Sequence, residues 1–189
     1  EIYNEIIKDL LNPSGKQLKI REGGEGIFVE GLCELIVRND SDLMKLIDQG
    51  NTVRRVAATN MNEQSSRSHS CFTIKVEEKT TIELKDGMNR VTLVKSKLNL
   101  VDLAGSERAA KTGATGDTLK EGVNINMSLM ALGNVINALA ESSNSTGTKN
   151  HMSKTKHIPY RDSKLPRILQ ESLGGNANTI MIAALSPAD

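Results

Sequence analysis

The spacing of apolar residues along the chain predicts a mixture of helices and strands. The clearest helix is expected at about 118–141, because apolar residues recur there every three or four positions. This stripe consists of Ile125, Leu129, Leu132, Ile136 and Leu139. Further helices are predicted from Ser41 onward and at about 164–173, where Gly174 and Gly175 supply a stop signal.

Strands are predicted where the apolar period changes to two. Residues 70–77 and 90–103 alternate as two strands, joined by a hairpin turn at 85–87. Shorter strands are expected at 17–21 and 27–37, and the apolar run 179–185 is typical of a buried strand. Residues 1–11 fit either a helix or a strand that runs into a short helix. Strands and helices mixed on this scale indicate an α/β sheet domain.

The face of the 118–141 helix opposite the apolar stripe carries little charge. It presents Asn124, Met127, Asn134 and Asn137, whereas a solvated helix face usually carries more Lys and Glu. Burial inside the domain explains such a face, and so does coverage by a partner.

Charge is distributed unevenly, although the 189-residue chain has a net charge of only +1. Residues 142–167 hold six Lys or Arg and one acid. A basic zone on a nearly neutral protein indicates one acidic partner surface. The two cysteines, Cys33 and Cys71, lie in predicted strands and have no disulfide or metal-binding spacing, which fits a reduced cytosolic setting.

Two polar segments carry candidate nucleotide chemistry. The strand that ends at Asp102 is followed three residues later by Gly105. An acid in that position can hold Mg²⁺ through water, and the glycine can bring its backbone N–H up to a phosphate oxygen. The segment 62–69 reads NEQSSRSH, and its hydroxyls and guanidinium suit Mg²⁺, phosphate and carboxylate partners. Either segment alone also occurs in ordinary turns and capping loops.

Together, the two segments resemble switch I and switch II of kinesin motor domains. The resemblance extends to the helix around 123–136, which resembles the switch II helix, and to the sequences IPYRDSKL at 158–165, LGGN at 173–176 and EIYNE at 1–5. It covers residues 1–189 and implies an α/β fold with a mixed, mainly parallel central sheet flanked by helices, as in a kinesin-like P-loop NTPase motor domain.

The phosphate-binding loop of that family is not in this sequence, because no G-x-x-x-x-G-K-[ST] occurs in it. We therefore expect a partial motor domain, without the N-terminal P-loop region and without the C-terminal helix and neck. By itself this chain is expected to be inactive toward ATP.

The resemblance implies roles for the switch residues. Ser66 resembles the serine near Mg²⁺ and the attacking water, Asp102 the acid that anchors Mg²⁺ through water, and Gly105 the γ-phosphate sensor. Arg67 and Glu107 resemble the ion pair that closes when ATP is bound. The implied catalytic residues are Ser66, Arg67, Gly105 and Glu107. ATP and Mg²⁺ are the implied cofactors, and the residues implied to bind them are Asn62, Ser65, Ser66, Asp102 and Gly105.

The implied partner is tubulin in the microtubule, whose acidic surface suits the basic zone. The chain departs from many relatives at Met127, where they carry Lys, and its 142–157 loop is longer than in conventional kinesin. No nucleic-acid or membrane contact is expected, and oligomerisation is expected to lie outside this chain. The implied microtubule contacts are Lys16, Lys19, Arg21, Lys111, Lys120, Lys149, Lys154, Lys156, Tyr160, Arg161, Lys164 and Arg167.

The implied function is ATP hydrolysis coupled to microtubule binding and movement, carried out in the cytoplasm on the microtubule cytoskeleton. The full-length protein would then be a microtubule-stimulated ATPase. An alternative is a microtubule-binding protein with a degenerate, non-hydrolysing head, against which the intact switch residues argue. Myosin has related switches, but the 158–165 segment and the switch II helix argue against that family.

Overall fold

The computed structural model describes residues 1–14, 16–24, 26–59, 64–83, 89–106, 117–144 and 157–184. Short 3-10 helices at Gln64–Arg67 and Tyr160–Asp162 accompany the main elements. None of the helices in these ranges combines the length and apolarity needed to cross a membrane. The main elements are β1 (Ile2–Tyr3), β2 (Ile6–Ile7), β3 (Lys19–Gly23), β4 (Gly26–Glu30), α1 (Asp40–Thr59), β5 (Ser70–Glu83), β6 (Asn89–Asp102), α2 (Asp117–Asn144), α3 (Lys164–Ile168) and α4 (Gln170–Gly174).

The strand pairs in the described ranges are antiparallel hairpins: β1 with β2, β3 with β4, and β5 with β6. The parallel pairings expected of a mainly parallel sheet are not among them. Each pair joins strands that follow one another directly, whereas a parallel pair needs a crossover connection of a dozen or more residues. The long β5–β6 hairpin confirms the two strands predicted there, with Ser70 opposite Asp102, while its predicted turn at 85–87 lies outside the described residues.

The N-terminal segment is a hairpin. The strand predicted as one alternative is present as β1, whereas the helix that both alternatives contained is not formed, because the chain turns back into β2. Asn4 and Glu5 have φ angles of 51° and 58° and form a two-residue turn, a conformation matched to the twist of a hairpin. The turn places Ile2 opposite Ile7, and both are buried. The hairpin therefore brings Ile2 and Ile7, two of the apolar residues whose spacing suggested a helix, side by side in the core.

Helix α1 continues through Gly50, although glycine weakens a helix interior. Gly50 is buried, and a side-chain carbon added there would lie 3.7 Å from the Cβ of Leu10. The glycine thus allows the helix to pack closely on the segment after β2, and this contact offsets its weak helix preference.

Helix α2 confirms the helix predicted at 118–141. Its most buried positions are the small or branched residues Ser128, Ala131 and Val135, with Val135 fully buried. Ile125 and Leu132 of the predicted stripe are also buried. Small side chains at the centre of the packed face let the helix approach its neighbours closely.

Three further elements depart from prediction. The helix predicted at 164–173 is divided into α3 and α4 at Leu169, whose ψ of 3° is not helical. The strand predicted at 179–185 is not formed in its described part, where Ile180 and Ile182 are about nine-tenths exposed, because a strand needs a paired neighbour. Strand β4 ends at Glu30 and is shorter than the strand predicted at 27–37, so Cys33 lies after the strand and not in it.

The hydrophobic core joins the N-terminal hairpin to the C-terminal helices. Its buried members are Ile2, Ile7, Leu132, Leu165 and Leu169. Pro166 is buried beside them in the first turn of α3, where its missing N–H is tolerated.

The strained turn residue Glu5 anchors α3. Its carboxylate accepts a 2.6 Å hydrogen bond from the Ser163 hydroxyl and a 2.9 Å bond from the Lys164 backbone N–H. A non-glycine residue with positive φ costs of order 1 kcal/mol, and these bonds offset that cost.

We expect Glu5→Ala to lower the free energy of unfolding by about 2 kcal/mol, because it leaves two donors near α3 without a charged acceptor. Glu34→Ala is the control, since the exposed Glu34 carboxylate pairs only with the exposed Lys75 ammonium among the bonds described. An exposed pair of this kind contributes about 0–1 kcal/mol. Urea denaturation of both variants measures the difference, and equal losses would contradict the anchoring role.

Candidate functional site

The centre of the site is the end of the segment predicted as switch I. Ser68 and His69 are buried, with exposures of 0% and 3%, although both are polar. The His69 backbone donates to the Ile2 carbonyl at 2.9 Å and accepts from the Ile2 N–H at 2.8 Å. This bridge attaches the segment to β1 and brings it into the core.

The two predicted switches touch through their backbones. The Gly105 N–H donates a 2.8 Å hydrogen bond to the Ser66 carbonyl. Ser66 belongs to the 3-10 helix at Gln64–Arg67, and Gly105 follows the end of β6 by three residues. The structure therefore brings together two segments that are about 40 residues apart in the sequence.

Arg54 of α1 is a further member of the site and was not predicted. Its guanidinium donates to the Ser68 carbonyl at 2.8 Å, to the Ser68 hydroxyl at 3.2 Å and to an Asp102 carboxylate oxygen at 2.7 Å. Arg54 is 9% exposed, whereas the Asp102 side chain is 70% exposed. The arginine thus connects the carboxylate at the end of β6 to the buried end of switch I.

A sequence signal for Arg54 existed. Residues 43, 47, 50 and 54 fall on one face of α1, and this face is otherwise apolar or small. A charged residue on such a face is buried only when it is paired, so its position already indicated a bonding partner inside the domain.

His69 makes a second set of buried contacts. Its Nδ1 accepts from the Ala104 backbone N–H at 3.0 Å, and its Nε2 lies 2.8 Å from the Ser128 hydroxyl oxygen on α2. Burial lowers the pKa of His69, which favours the neutral ring. Because Nδ1 accepts, the neutral ring carries its proton on Nε2 and donates it to Ser128.

Several predicted site residues lie outside the described residues. The predicted ion pair between Arg67 and Glu107 therefore stays a prediction, as do the nucleotide contacts of Ser65. Ser65 and Lys120 lie in described elements, but their side chains are outside the description. The residues outside the described ranges are Asn62, Glu107, Lys111, Lys149, Lys154 and Lys156.

Two of the predicted microtubule-binding segments meet on one surface. Arg161, in the 3-10 helix before α3, pairs with Glu22 of β3 at 3.4 Å, and both side chains are exposed. Lys19 and Arg21 lie on the same strand as Glu22, and Lys16 is exposed shortly before it.

The other predicted microtubule-binding residues whose side chains are described are less exposed. Tyr160 and Arg167 are half-buried, and the ammonium group of Lys164 donates to the Glu5 carbonyl. Lys164 therefore also helps to hold α3 against the N-terminal turn.

The donor set at the switches suits Mg²⁺. Ser66 and Asp102 supply hard oxygen atoms, and Mg²⁺ is usually held by one or two protein oxygens together with water and phosphate. The described residues contain no cluster of three or more His, Cys, Asp or Glu that could enclose a metal ion. An open site with few protein ligands is what such a set provides.

The chain combines helices and strands, and its two predicted switch segments meet beside the end of β6. The sequence profile of the kinesin motor domain matches it over residues 1–189. The chain belongs to the kinesin motor domain family, which confirms the resemblance and the α/β fold class.

Curated relatives match the chain over its whole length. Kinesin-like protein KIF1B of Homo sapiens is 54% identical over 191 residues, and Kinesin-like protein Klp68D of Drosophila melanogaster is 49% identical over 189 residues. The chain spans 10% of the first protein and 22% of the second.

Solved structures give the same family. One, of KIF14 as a dimer with both heads bound and with AMP-PNP on a microtubule, is 44% identical with a TM-score of 0.81 over 99% of this chain. Another, of a fast kinesin, is 47% identical with a TM-score of 0.72 over 93% of this chain. The chain spans 50% and 45% of those two chains, respectively.

We expect Arg54→Lys to lower the free energy of unfolding by about 2 kcal/mol. An ammonium cannot reproduce the planar fork that reaches Ser68 and Asp102 together, and a buried carbonyl would lose its charged donor. Arg55→Lys is the control, since the neighbouring Arg55 is exposed and bonds to Asn51 of its own helix. Thermal unfolding of both variants checks this, and a loss confined to Arg55→Lys would contradict it.

Proposed function

We propose that this chain supplies the nucleotide-sensing switches and the microtubule-facing surface of an ATP-driven microtubule motor. The full-length protein would hydrolyse ATP in a reaction stimulated by microtubules and coupled to movement, in the cytoplasm. The proposal is supported by family membership and by the presence of Ser66, Arg67, Asp102, Gly105 and Glu107 in the sequence.

The single observation that carries the proposal is the bond between the Gly105 N–H and the Ser66 carbonyl. One N–H group makes one strong hydrogen bond at a time. If Gly105 senses the γ-phosphate, its N–H must leave Ser66 when it donates to a phosphate oxygen. The two switches would therefore change their contact as the nucleotide changes, and this exchange is what a sensor requires.

Mg²⁺ would be held by the Ser66 hydroxyl and, through water, by the Asp102 carboxylate. When bound, the ion would neutralise negative charge on the phosphates of ATP. Arg54 would keep the Asp102 carboxylate oriented at the end of β6, because its guanidinium is itself fixed by Ser68. Arg67 and Glu107 would close as an ion pair and position the attacking water.

The proposed partner is the acidic surface of the microtubule. Lys19 and Arg21 lie on the same strand as Glu22, with which Arg161 pairs, and Arg161 belongs to the basic stretch 142–167. The KIF14 structures similar to this chain are complexes with a microtubule. The alternative of a degenerate, non-hydrolysing head is not supported, because the switch residues are intact.

We expect Gly105→Ala in the full-length protein to retain ATP binding and to lose microtubule-stimulated hydrolysis by a factor of at least about 100. The added methyl group hinders the approach of the N–H to the γ-phosphate. Steady-state ATPase assays and binding of a fluorescent ATP analogue separate the two effects.

Gly50→Ala is the matched control for this substitution. Its new methyl group would meet Leu10 at an ordinary contact distance inside a helix, so turnover should stay near the wild-type value. Unchanged turnover in Gly105→Ala would remove the sensor role from the proposal.

Lys149, Lys154 and Lys156 are proposed to attract the microtubule at long range. Replacing all three with Ala should slow microtubule association at low salt, and the difference should shrink as the Debye length falls to about 10 Å at 0.1 M salt. Maximal turnover at saturating microtubules should change little. Stopped-flow association over a salt series measures this.

A control variant removes the same charge elsewhere by replacing Lys75, Lys79 and Lys95 of the β5–β6 hairpin. Equal slowing in both triple variants would mean that net charge alone acts. Wild-type association rates for the 149–156 variant at low salt would leave the loop without this role.

A further inference from the structure

The imidazole of His69 connects the segment that directly follows β6, which carries Ala104 and Gly105, to the helix α2. Its Nδ1 accepts from the Ala104 N–H at 3.0 Å, and its Nε2 bonds to the Ser128 hydroxyl at 2.8 Å. The Ser128 hydroxyl in turn donates to the Ile125 carbonyl at 2.7 Å. A continuous chain of hydrogen bonds therefore runs from the end of β6 into the backbone of α2.

In this series of three hydrogen bonds, each donor has one acceptor and each acceptor has one donor. The Ala104 N–H can only donate, so Nδ1 is the acceptor and Nε2 carries the proton. The Ser128 oxygen accepts a hydrogen bond from Nε2–H, and the Ser128 hydroxyl donates one to the Ile125 carbonyl. The tautomer of His69 is thus set by its neighbours, and each group has one role.

The chain is shielded from water along its length. His69 and Ser128 are each 3% exposed, and Ala104 is 6% exposed. A bond broken here cannot be replaced by a bond to bulk solvent, and a buried group left unpaired costs about 1–3 kcal/mol. Ala104 cannot move away from α2 without either drawing His69 along or breaking one of these bonds.

Ala104 is also joined to the proposed nucleotide sensor. It directly precedes Gly105, whose N–H binds the Ser66 carbonyl. The His69 backbone is fixed to β1 through both of its bonds to Ile2, so the ring can move only by rotation about its side-chain bonds. A change in the partner of Gly105 would therefore reach α2 through a rigid ring.

We propose that His69 is a positioning residue that transmits the nucleotide state from Gly105 to α2 through the Ala104–His69–Ser128 hydrogen bonds. This inference rests on the proposed function, because it names His69 as the residue that connects the nucleotide switches to α2. It gives His69 no contact with nucleotide.

The test uses two substitutions that each preserve one half of the connection. In His69→Asn the amide oxygen takes the place of Nδ1 and can accept from Ala104, but the link to α2 is lost. In His69→Gln the amide nitrogen takes the place of Nε2 and can donate to Ser128, but the link to β6 is lost. Ser128→Ala removes the α2 end alone and leaves the ring in place.

The measured quantity is the ratio of microtubule dissociation constants in ADP and in a non-hydrolysable ATP analogue, obtained by cosedimentation with the full-length protein. We expect each of the three variants to reduce this ratio about 5- to 10-fold, toward equal affinity in both states. The double variant His69→Asn with Ser128→Ala should have the same ratio as His69→Asn alone, because both changes remove the same hydrogen bond between residue 69 and α2.

Ser143→Ala is the matched control, since the exposed Ser143 hydroxyl donates to Leu139 within the same helix. Its ratio should equal that of the wild type. A wild-type ratio in folded Ser128→Ala would overturn the proposal and leave His69 as a core residue. Ser128→Ala decides the matter by itself if the His69 variants do not fold. A wild-type protein that binds no microtubules in either state would instead refute the proposed function.

Discussion

The arrangement of the whole site depends on the burial of one polar segment, Ser68 and His69. Every polar group taken out of water must find a partner, and the partners here come from four different elements. Arg54 of α1 binds Ser68, Ile2 of β1 binds the His69 backbone, and Ala104 and Ser128 bind the His69 ring. Because each unmet bond would cost about 1–3 kcal/mol, the segment fixes how α1, β1, β6 and α2 are placed.

The N-terminal hairpin joins this site to the surface proposed to face the microtubule. Ile2 bonds to the His69 backbone, and Glu5, three residues later, bonds to Ser163 and Lys164. The tight turn that places both contacts so close together requires positive φ angles at Asn4 and Glu5, which are energetically unfavourable. The hairpin therefore gives the switches and α3 a common support, and Leu165 and Ile2 share one core.

The uncharged face of α2 can now be interpreted. Asn134 and Asn137 are exposed, and so are Met127 and Met130, at 46% and 68%. Burial by the described part of the chain does not account for the missing charges, so coverage by a partner is the explanation that fits the proposed function. The same helix receives the His69 bond on its buried face, which puts a nucleotide-linked contact and a proposed partner surface on opposite sides of one element.

The sequence by itself determined the family, the long helix α2, the β5–β6 hairpin and the two switch segments, because periodicity and motifs are local or ordered along the chain. It did not determine the N-terminal hairpin, since the apolar spacing of residues 1–11 fits a helix or a strand that runs into a short helix. Only the pairing of Ile2 with Ile7 in the core selects the hairpin. The exposure of Ile180 and Ile182 was likewise invisible, because an apolar run reports a preference for burial and not the presence of a partner strand. Only the tertiary structure showed Arg54 at Asp102 and His69 between Ala104 and Ser128, since these bonds join residues 35 to 59 positions apart and depend on how buried donors and acceptors are matched in space.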